Sequence, residues 1–183
     1  IATEIRRRGI PVVLGGYHVS FAEQEALQYA DAIVVGDADD VWKMVVDDAR
    51  QGRLQKIYRS SVQPQLAGVR FDRSIFRGKR YSPLTPIQFG RGCRFACDFC
   101  SIHAFYGDTV RARPVEEFVA EIRESGKRYF LIVDDNLLVN KELACKLFLA
   151  LIPLKITWTC QVSIDIAHDR ELMDLLARSG CIG

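Results

Sequence analysis

At 183 residues, with 49% hydrophobic and 26% charged residues, the chain has the composition of a folded globular protein and not of a disordered one. Its 25 basic and 23 acidic residues leave a net charge of +2, which argues against nucleic acid as a partner. The sequence has no apolar run near the roughly 20 residues that span a bilayer and no secretory signal, so it predicts a cytoplasmic protein without a membrane span.

The first part of the chain alternates short apolar runs with helical patterns. In chain order, the pattern predicts a strand at residues 11–14, a helix at 20–30, a strand at 31–35 and a helix at 37–50. Gly15 and Gly16 predict a tight turn after the first strand, and Ser20 and Glu23 have the spacing of a helix capping box. This order of elements is typical of a piece of an α/β sheet.

The pattern changes between residues 60 and 85, where the hydrophobic periodicity fades and prolines are present. A second series follows, with strands predicted at 87–89, 129–133 and 156–162, and helices from Pro114 to Gly126, at 140–152 and at 169–179. Three strand–helix units in a row indicate part of a barrel. We therefore expect a first domain at residues 1–59, a linker at 60–85 and a second domain at 86–183.

Both ends of the chain fall inside predicted elements. Ile1 stands in the second half of an amphipathic helical pattern, and residues 180–183 have the pattern of the start of another strand. We therefore expect the chain to be a fragment of a longer protein, truncated at both ends.

Six cysteines are distributed unevenly, and three of them lie within eight residues. Cys93, Cys97 and Cys100 have the spacing C-x3-C-x2-C, directly after the first predicted strand of the second series. Such crowding without a secretory signal favours metal or cluster ligation over disulfides. Three thiolates can hold three irons of a [4Fe–4S] cubane, which leaves the fourth iron open to a chelating substrate. The position agrees with catalysis, because α/β barrels place active sites at this end of their strands.

A structural zinc site is the competing interpretation of the same residues. His103 follows Cys100 by three positions and would complete a Cys3His tetrahedron. Structural zinc motifs usually divide their ligands into two pairs on separate knuckles, whereas these four would lie within eleven residues of one loop. The spacing therefore favours the cluster and leaves zinc open. A zinc site would indicate a binding module and not an enzyme.

The string RGCRFACDFCSI at residues 91–102 resembles the signature of the radical S-adenosylmethionine (SAM) superfamily, including the aromatic residue before the third cysteine. The resemblance runs from about residue 87 to the end of the chain. It implies that Cys93, Cys97 and Cys100 bind a [4Fe–4S] cluster and that the backbone at Phe99 lies against the adenine of SAM. The implied fold is the first half of a radical SAM (β/α) partial TIM barrel.

The same resemblance implies further SAM contacts after the next two strands. Asp134 and Asp135 stand where radical SAM proteins have a Gly-Gly-Glu-like segment that binds the methionyl amino group, and a carboxylate suits an ammonium. This segment lacks both glycines, and the alternative is that the aspartates only end a strand and cap the next helix. Gln161 and Ser163 fall where the family often contacts the methionyl carboxylate or the ribose.

The N-terminal segment resembles the C-terminal part of the flavodoxin-like, Rossmann-like cobalamin-binding domain often joined to such barrels. The resemblance rests on LGGYHVS at residues 14–20, on VVGDAD at residues 34–39, and on their order ahead of the cysteines. It implies that Gly15 and Gly16 let the backbone approach the corrinoid nucleotide tail, which a β-carbon would obstruct. His18 is not assigned as an axial cobalt ligand, because the domain's usual axial histidine lies in a different motif.

Together the two resemblances imply an enzyme that cleaves SAM reductively to a 5′-deoxyadenosyl radical, which removes a hydrogen atom from a small-molecule substrate. Cobalamin-dependent methyl transfer to an unactivated carbon is the implied reaction, with an electron donor such as a flavodoxin or a ferredoxin. Two alternatives remain besides zinc. One is radical cyclisation or rearrangement by the same two domains, and the other is a corrinoid-binding or electron-transfer protein without catalysis.

Overall fold

A computed structural model of the chain describes residues 1–138 and 140–183. The chain forms two compact units, Ile1–Pro64 and Gln65–Gly183, and each contains a three-stranded parallel sheet. The predicted α/β fold class is confirmed. Within the residues described, no helix is both long and apolar enough to cross a membrane.

The first unit carries its strands in chain order, with helices between them. Its elements are helix α1 (Ala2–Arg7), strand β1 (Val13–Leu14), helices α2 (Tyr17–Phe21) and α3 (Glu23–Tyr29), strand β2 (Ala32–Val35), helix α4 (Trp42–Arg50) and strand β3 (Ile57–Arg59). Strand β2 lies between β1 and β3, and both pairings are parallel. Ala32, Ile33 and Val34 are buried because a central parallel strand is covered on both faces.

Two local predictions for the first unit are wrong. The helix predicted at residues 20–30 is divided between α2 and α3, because the backbone at Ala22 leaves the helical region. The predicted capping box does not form. Instead, the Ser20 hydroxyl donates to the carbonyl oxygen of Gly16 (3.0 Å) and accepts from the amide of Gly36 (3.1 Å). Ser20 therefore joins the turn after β1 to the turn after β2.

A buried carboxylate connects α4 to β3 in this unit. The Tyr58 hydroxyl, on a side chain only 2% exposed, donates to Asp48 (2.9 Å) and accepts from the amide of Gln55 (3.0 Å). Burial raises the pKa of Tyr58 above its ordinary value, so the hydroxyl keeps its proton and acts as the donor. Arg53 donates to the other oxygen of Asp48 at 3.0 Å.

Tyr58→Phe is therefore expected to lower the free energy of unfolding by about 2 kcal/mol, because it leaves the Asp48 carboxylate and the Gln55 amide short of a partner. Urea unfolding followed by circular dichroism measures the loss. Tyr29→Phe is the matched control on an exposed tyrosine, with an expected change below about 0.5 kcal/mol. If both substitutions changed the free energy of unfolding equally, the hydrogen bonds of Tyr58 would not contribute to stability.

The second unit has a larger set of elements. They are strands β4 (Thr85–Ile87), β5 (Gly90–Arg91), β6 (Arg111–Ala112), β7 (Tyr129–Ile132) and β8 (Thr157–Thr159), helices α5 (Ser101–Tyr106), α6 (Val115–Ser125), α7 (Lys141–Leu151) and α8 (Arg170–Arg178), and 3₁₀ turns at Arg73–Phe76, Ile152–Leu154 and Ile164–His168. Strand β7 lies between β4 and β8 in a parallel sheet. The antiparallel pair of β5 and β6 is not indicated by the sequence, because two-residue strands carry no periodicity.

Capping residues explain where the three long helices of this unit begin and end. Pro114 precedes the first residue of α6, and Gly126 ends that helix with a left-handed φ of 61°. The side chains of Asn140 and Asp169 each accept a backbone amide hydrogen bond in the first turn of α7 and α8, respectively. These helices therefore lie where the sequence predicts them.

Residues 65–85 fold as part of the second unit. Arg73 donates to the Glu121 carboxylate (2.8 Å) and to the carbonyl oxygen of Pro86 (2.9 Å). The other carboxylate oxygen of Glu121 accepts from the buried Arg113 at 2.5 Å. The division between the units, after Pro64, falls inside the segment predicted as a linker, and the rest of that segment is anchored to α6.

Candidate functional site

The carboxyl ends of the three parallel strands bring polar side chains to one edge of the second unit's sheet. After β4 the chain passes through β5 into residues 92–100, here called the cysteine loop. Asp134, Asp135 and Asn136 follow β7, and Gln161 and Ser163 follow β8. Because parallel strands end at the same edge, residues far apart in the sequence meet there.

The cysteine loop carries three free thiols between β5 and α5. Cys93 and Cys100 are half-buried, and Cys97 is exposed. The Cys100 amide donates to the Cys97 carbonyl oxygen at 3.0 Å, which closes a turn immediately before α5. Gly92 opens the loop with φ +96°, and a β-carbon there would lie 2.2 Å from the carbonyl oxygen of Thr109. Only glycine fits at this position.

The two aspartates after β7 hold the backbone that leads into the cysteine loop. Asp134 is buried and accepts from the Phe89 amide at 2.7 Å, and Asp135 accepts from the Gly92 amide at 2.9 Å. Burial raises the pKa of Asp134 to about 7, although the amides of Phe89 and Gly90 oppose that change. The alternative that these aspartates cap the next helix is wrong, since Asn140 caps α7.

Asn136 is a site residue to which the sequence assigns no role. Its amide nitrogen lies 3.7 Å from the Cys93 sulfur and 3.3 Å from the Ser163 hydroxyl. Its amide oxygen accepts from the backbone of Leu138 at 3.2 Å. The contact with Cys93 joins residues 43 positions apart, so no local pattern could have indicated it.

The other predicted SAM contacts lie in different surroundings. Ser163 is half-buried and bonded to Asn136, whereas the side chains of Gln161 and Phe99 are exposed, Phe99 to 93%. Arg94 forms an ion pair with Asp165, so the cysteine loop is also tied to the segment after β8. The structure therefore brings together Cys93, Asn136 and Ser163, while the Phe99 and Gln161 side chains face solvent. Their roles toward SAM stay predictions.

The cysteine loop fits a [4Fe–4S] cluster by the chemistry of its donors. It offers three unpaired thiols, and a donor amide already lies beside one of them. Within the described part of the chain, no three Cys, His, Asp or Glu side chains lie close enough together to surround a metal ion. His103, the fourth ligand in the zinc alternative, lies 3.8 Å from Asp108 through Nδ1.

In the first unit, Gly15 and Gly16 stand at the carboxyl end of β1, directly before α2. Gly16 has φ +97°, and nothing lies within 4 Å of the place where its β-carbon would be. A side chain would therefore be strained there, and the backbone is open to a ligand. This open glycine turn fits the approach of a corrinoid tail, and the assignment of residues 1–59 to a cobalamin-binding domain stays a prediction.

Known proteins resemble the chain over nearly its whole length. Bacteriochlorophyllide d C-8(2)-methyltransferase of Chlorobaculum tepidum is 34% identical, over 99% of this chain and 44% of its own length. The anaerobic magnesium-protoporphyrin IX monomethyl ester cyclase of Cereibacter sphaeroides is 27% identical, over 93% of this chain and 34% of its own. The chain thus spans less than half the length of these relatives.

A solved structure shares the fold, and a known family matches most of the second unit. The radical SAM methyltransferase TsrM from Kitasatospora setae, with cobalamin and a [4Fe–4S] cluster bound, superposes with a TM-score of 0.69 at 20% identity, over 98% of this chain and 43% of that one. Residues 87–183, more than half of the chain, match the Radical SAM superfamily. The chain therefore belongs to the radical SAM superfamily.

Proposed function

We propose that the chain is part of a radical SAM enzyme that uses cobalamin to transfer a methyl group to an unactivated carbon of a small molecule. The observation that carries the proposal is the cysteine loop, with three free thiols at the carboxyl-end edge of a parallel sheet. The loop lies within the part of the chain that matches the family. The resemblance of the whole chain to a named methyltransferase supports the choice of reaction.

When bound to Cys93, Cys97 and Cys100, a [4Fe–4S] cluster supplies the single electron that cleaves SAM to methionine and a 5′-deoxyadenosyl radical. The protein's own residues shape the loop that carries these thiols. Asp135 accepts from the backbone amide of Gly92, directly before Cys93, and the Arg94 side chain pairs with Asp165 after it. These contacts hold the loop in place before any cofactor arrives, which lowers the cost of ordering it.

The predicted SAM contacts can be refined from the hydrogen bonds at the site. Asp134 is buried and occupied by backbone amides, whereas Asp135 is only half-buried. A carboxylate accepts several hydrogen bonds, so Asp135 can hold the Gly92 amide and still accept from the methionyl ammonium. We therefore propose Asp135, Ser163 and Gln161 as SAM contacts, together with the backbone at Phe99.

Cobalamin, when bound, supplies the methyl group that the proposed reaction transfers. The parallel sheet of the first unit and the open backbone at Gly16, after Gly15, support this assignment. So does the fold shared with a methyltransferase structure that holds cobalamin. We further propose that the protein is cytoplasmic and that a flavodoxin or ferredoxin supplies the electron.

Radical cyclisation is the second candidate reaction. It is favoured by one observation, the resemblance to the magnesium-protoporphyrin IX monomethyl ester cyclase, which covers almost all of the chain. The two candidates share the cluster and SAM, and they differ in what happens to the methyl group of SAM. Labelling that methyl group therefore separates them.

The test uses the natural protein that contains this chain, purified anaerobically and reconstituted with iron and sulfide. We expect about four irons per protein, as a cubane requires, and release of 5′-deoxyadenosine from SAM under dithionite. Cys97→Ala is expected to lose both, and the matched control Cys145→Ala, outside the cysteine loop, is expected to retain both. Transfer of a labelled SAM methyl group to bound cobalamin would support methyl transfer.

Three results would contradict the proposal in different ways. Zinc without iron would indicate the Cys3His binding module. Iron and cobalamin without SAM cleavage would indicate a carrier protein that performs no catalysis. SAM cleavage without methyl labelling of cobalamin would favour the cyclase.

A further inference from the structure

Asn136 lies within hydrogen-bonding distance of Cys93, one of the proposed cluster ligands. It is 4% exposed, and its amide nitrogen is 3.7 Å from the Cys93 sulfur. The amide oxygen accepts from the Leu138 backbone at 3.2 Å, which fixes the orientation of the group. If the amide oxygen and nitrogen of Asn136 exchanged places, its NH₂ group would face the backbone N–H of Leu138, and two donors would oppose each other. The NH₂ group therefore points toward Cys93 and Ser163.

The two hydrogens of this NH₂ group have two acceptors in reach. One is the Cys93 sulfur, and the other is the Ser163 hydroxyl oxygen at 3.3 Å. The neighbouring backbone is held on both sides, because Asp135 accepts from Gly92 and the Leu137 amide donates to the Gln161 carbonyl oxygen at 3.1 Å. The amide thus has one position, and that position is set before any cluster is present.

We propose that Asn136 is a positioning residue that donates a hydrogen bond to the Cys93 thiolate and thereby raises the reduction potential of the cluster. The inference rests on the proposed function, since it requires Cys93 to hold an iron. When the oxidised cluster takes up one electron, negative charge increases on the cluster and on its sulfur ligands. An N–H donor stabilises this extra charge more than it stabilises the oxidised form, so reduction becomes easier.

The experiment measures the midpoint reduction potential of the cluster and not an enzymatic activity. The reconstituted natural protein is poised with dithionite at a series of potentials without SAM, and the reduced cluster is counted by electron paramagnetic resonance. Asn136→Leu removes the donor at similar size and is expected to lower the midpoint potential. Gln65→Leu is the matched control, because it makes the same amide-to-leucine change at an exposed position of the second unit outside the cysteine loop. It is expected to leave the potential unchanged.

A second variant keeps the inference falsifiable when Asn136→Leu does not take up a cluster. Asn136→Asp retains the shape and replaces the donor with an acceptor, and it is also expected to lower the potential. An unchanged potential in a variant with a full complement of iron would overturn the inference while the proposed function stands. Loss of the cluster from both variants would overturn it as well, because the role of Asn136 would then be structural. A wild-type protein without a [4Fe–4S] cluster would instead overturn the proposed function, and this inference with it.

Discussion

Gly92→Ala is expected to destabilise the second unit by about 3 kcal/mol or more and to prevent cluster uptake. The added β-carbon would lie 2.2 Å from the carbonyl oxygen of Thr109, an overlap that no side-chain rotation can relieve because the oxygen belongs to the backbone. The Gly92 amide also donates to Asp135, so a shift of this backbone breaks that bond too. The steric overlap and the broken hydrogen bond both occur at Gly92, the residue next to Cys93.

Gly126→Ala is the matched control for this substitution. Gly126 also has a positive φ, 61°, but nothing lies within 4 Å of the place where its β-carbon would be. Its replacement is expected to cost only the strain of a left-handed alanine, about 1 kcal/mol, and to leave iron binding intact. Urea unfolding and iron content measure the two variants. Similar results for both would show that the Thr109 contact relaxes freely and that the loop does not depend on it.

Asp134 is expected to give the second unit an unusual dependence of stability on pH. Its pKa is raised from 3.8 to about 7, chiefly by burial. Below pH 4 the carboxyl is protonated in both the folded and the unfolded chain, so its contribution is fully present. Between pH 4 and 7 only the unfolded chain releases the proton, and folding loses stability as pH rises. The loss amounts to about 4 kcal/mol and is complete once pH exceeds the folded pKa.

Asp134→Asn removes this ionisation, and its Oδ1 can still accept from the Phe89 amide. From pH 5 to pH 8, the free energy of unfolding is therefore expected to fall more in the wild type than in the Asn variant. Urea unfolding at the two pH values measures this difference. Asp40→Asn, on an exposed side chain, serves as the control and is expected to leave the difference between the two pH values unchanged. A wild type that gains stability relative to Asp134→Asn at pH 8 would show that the amides of Phe89 and Gly90 outweigh burial.

The sequence predicts much of this fold because several of its signals are local. Pro114, Gly126, Asn140 and Asp169 begin or end helices through contacts within a few residues, and the structure agrees with each. The fold class and the membership of the radical SAM superfamily are confirmed, and the three cluster ligands stay a prediction. The strand predicted at 87–89 is displaced to Thr85–Ile87, since apolar runs do not define where pairing stops.

What the sequence could not predict depends on long-range contacts. The hydroxyl of Ser20 accepts from the Gly36 amide and forms no capping box with Glu23, because the fold brings the two turns together. The pair of β5 and β6 consists of two residues on each side, with no periodicity to indicate it. Asn136 reaches Cys93 only after β7 has joined β4. In each case the partner is distant in the sequence, so only the tertiary structure determines which contact forms.

The support of the cysteine loop by residues that follow it in the chain has a consequence for folding. The Gly92 amide and the Cys93 sulfur find their partners, Asp135 and Asn136, 43 residues later. The three cysteines therefore precede, in the chain, the residues that hold their loop. Until β7 has joined the sheet, the loop lacks the contacts with Asp135 and Asn136. The order of folding within the second unit thus decides when the loop reaches its final conformation, because the loop depends on a strand that comes later in the chain.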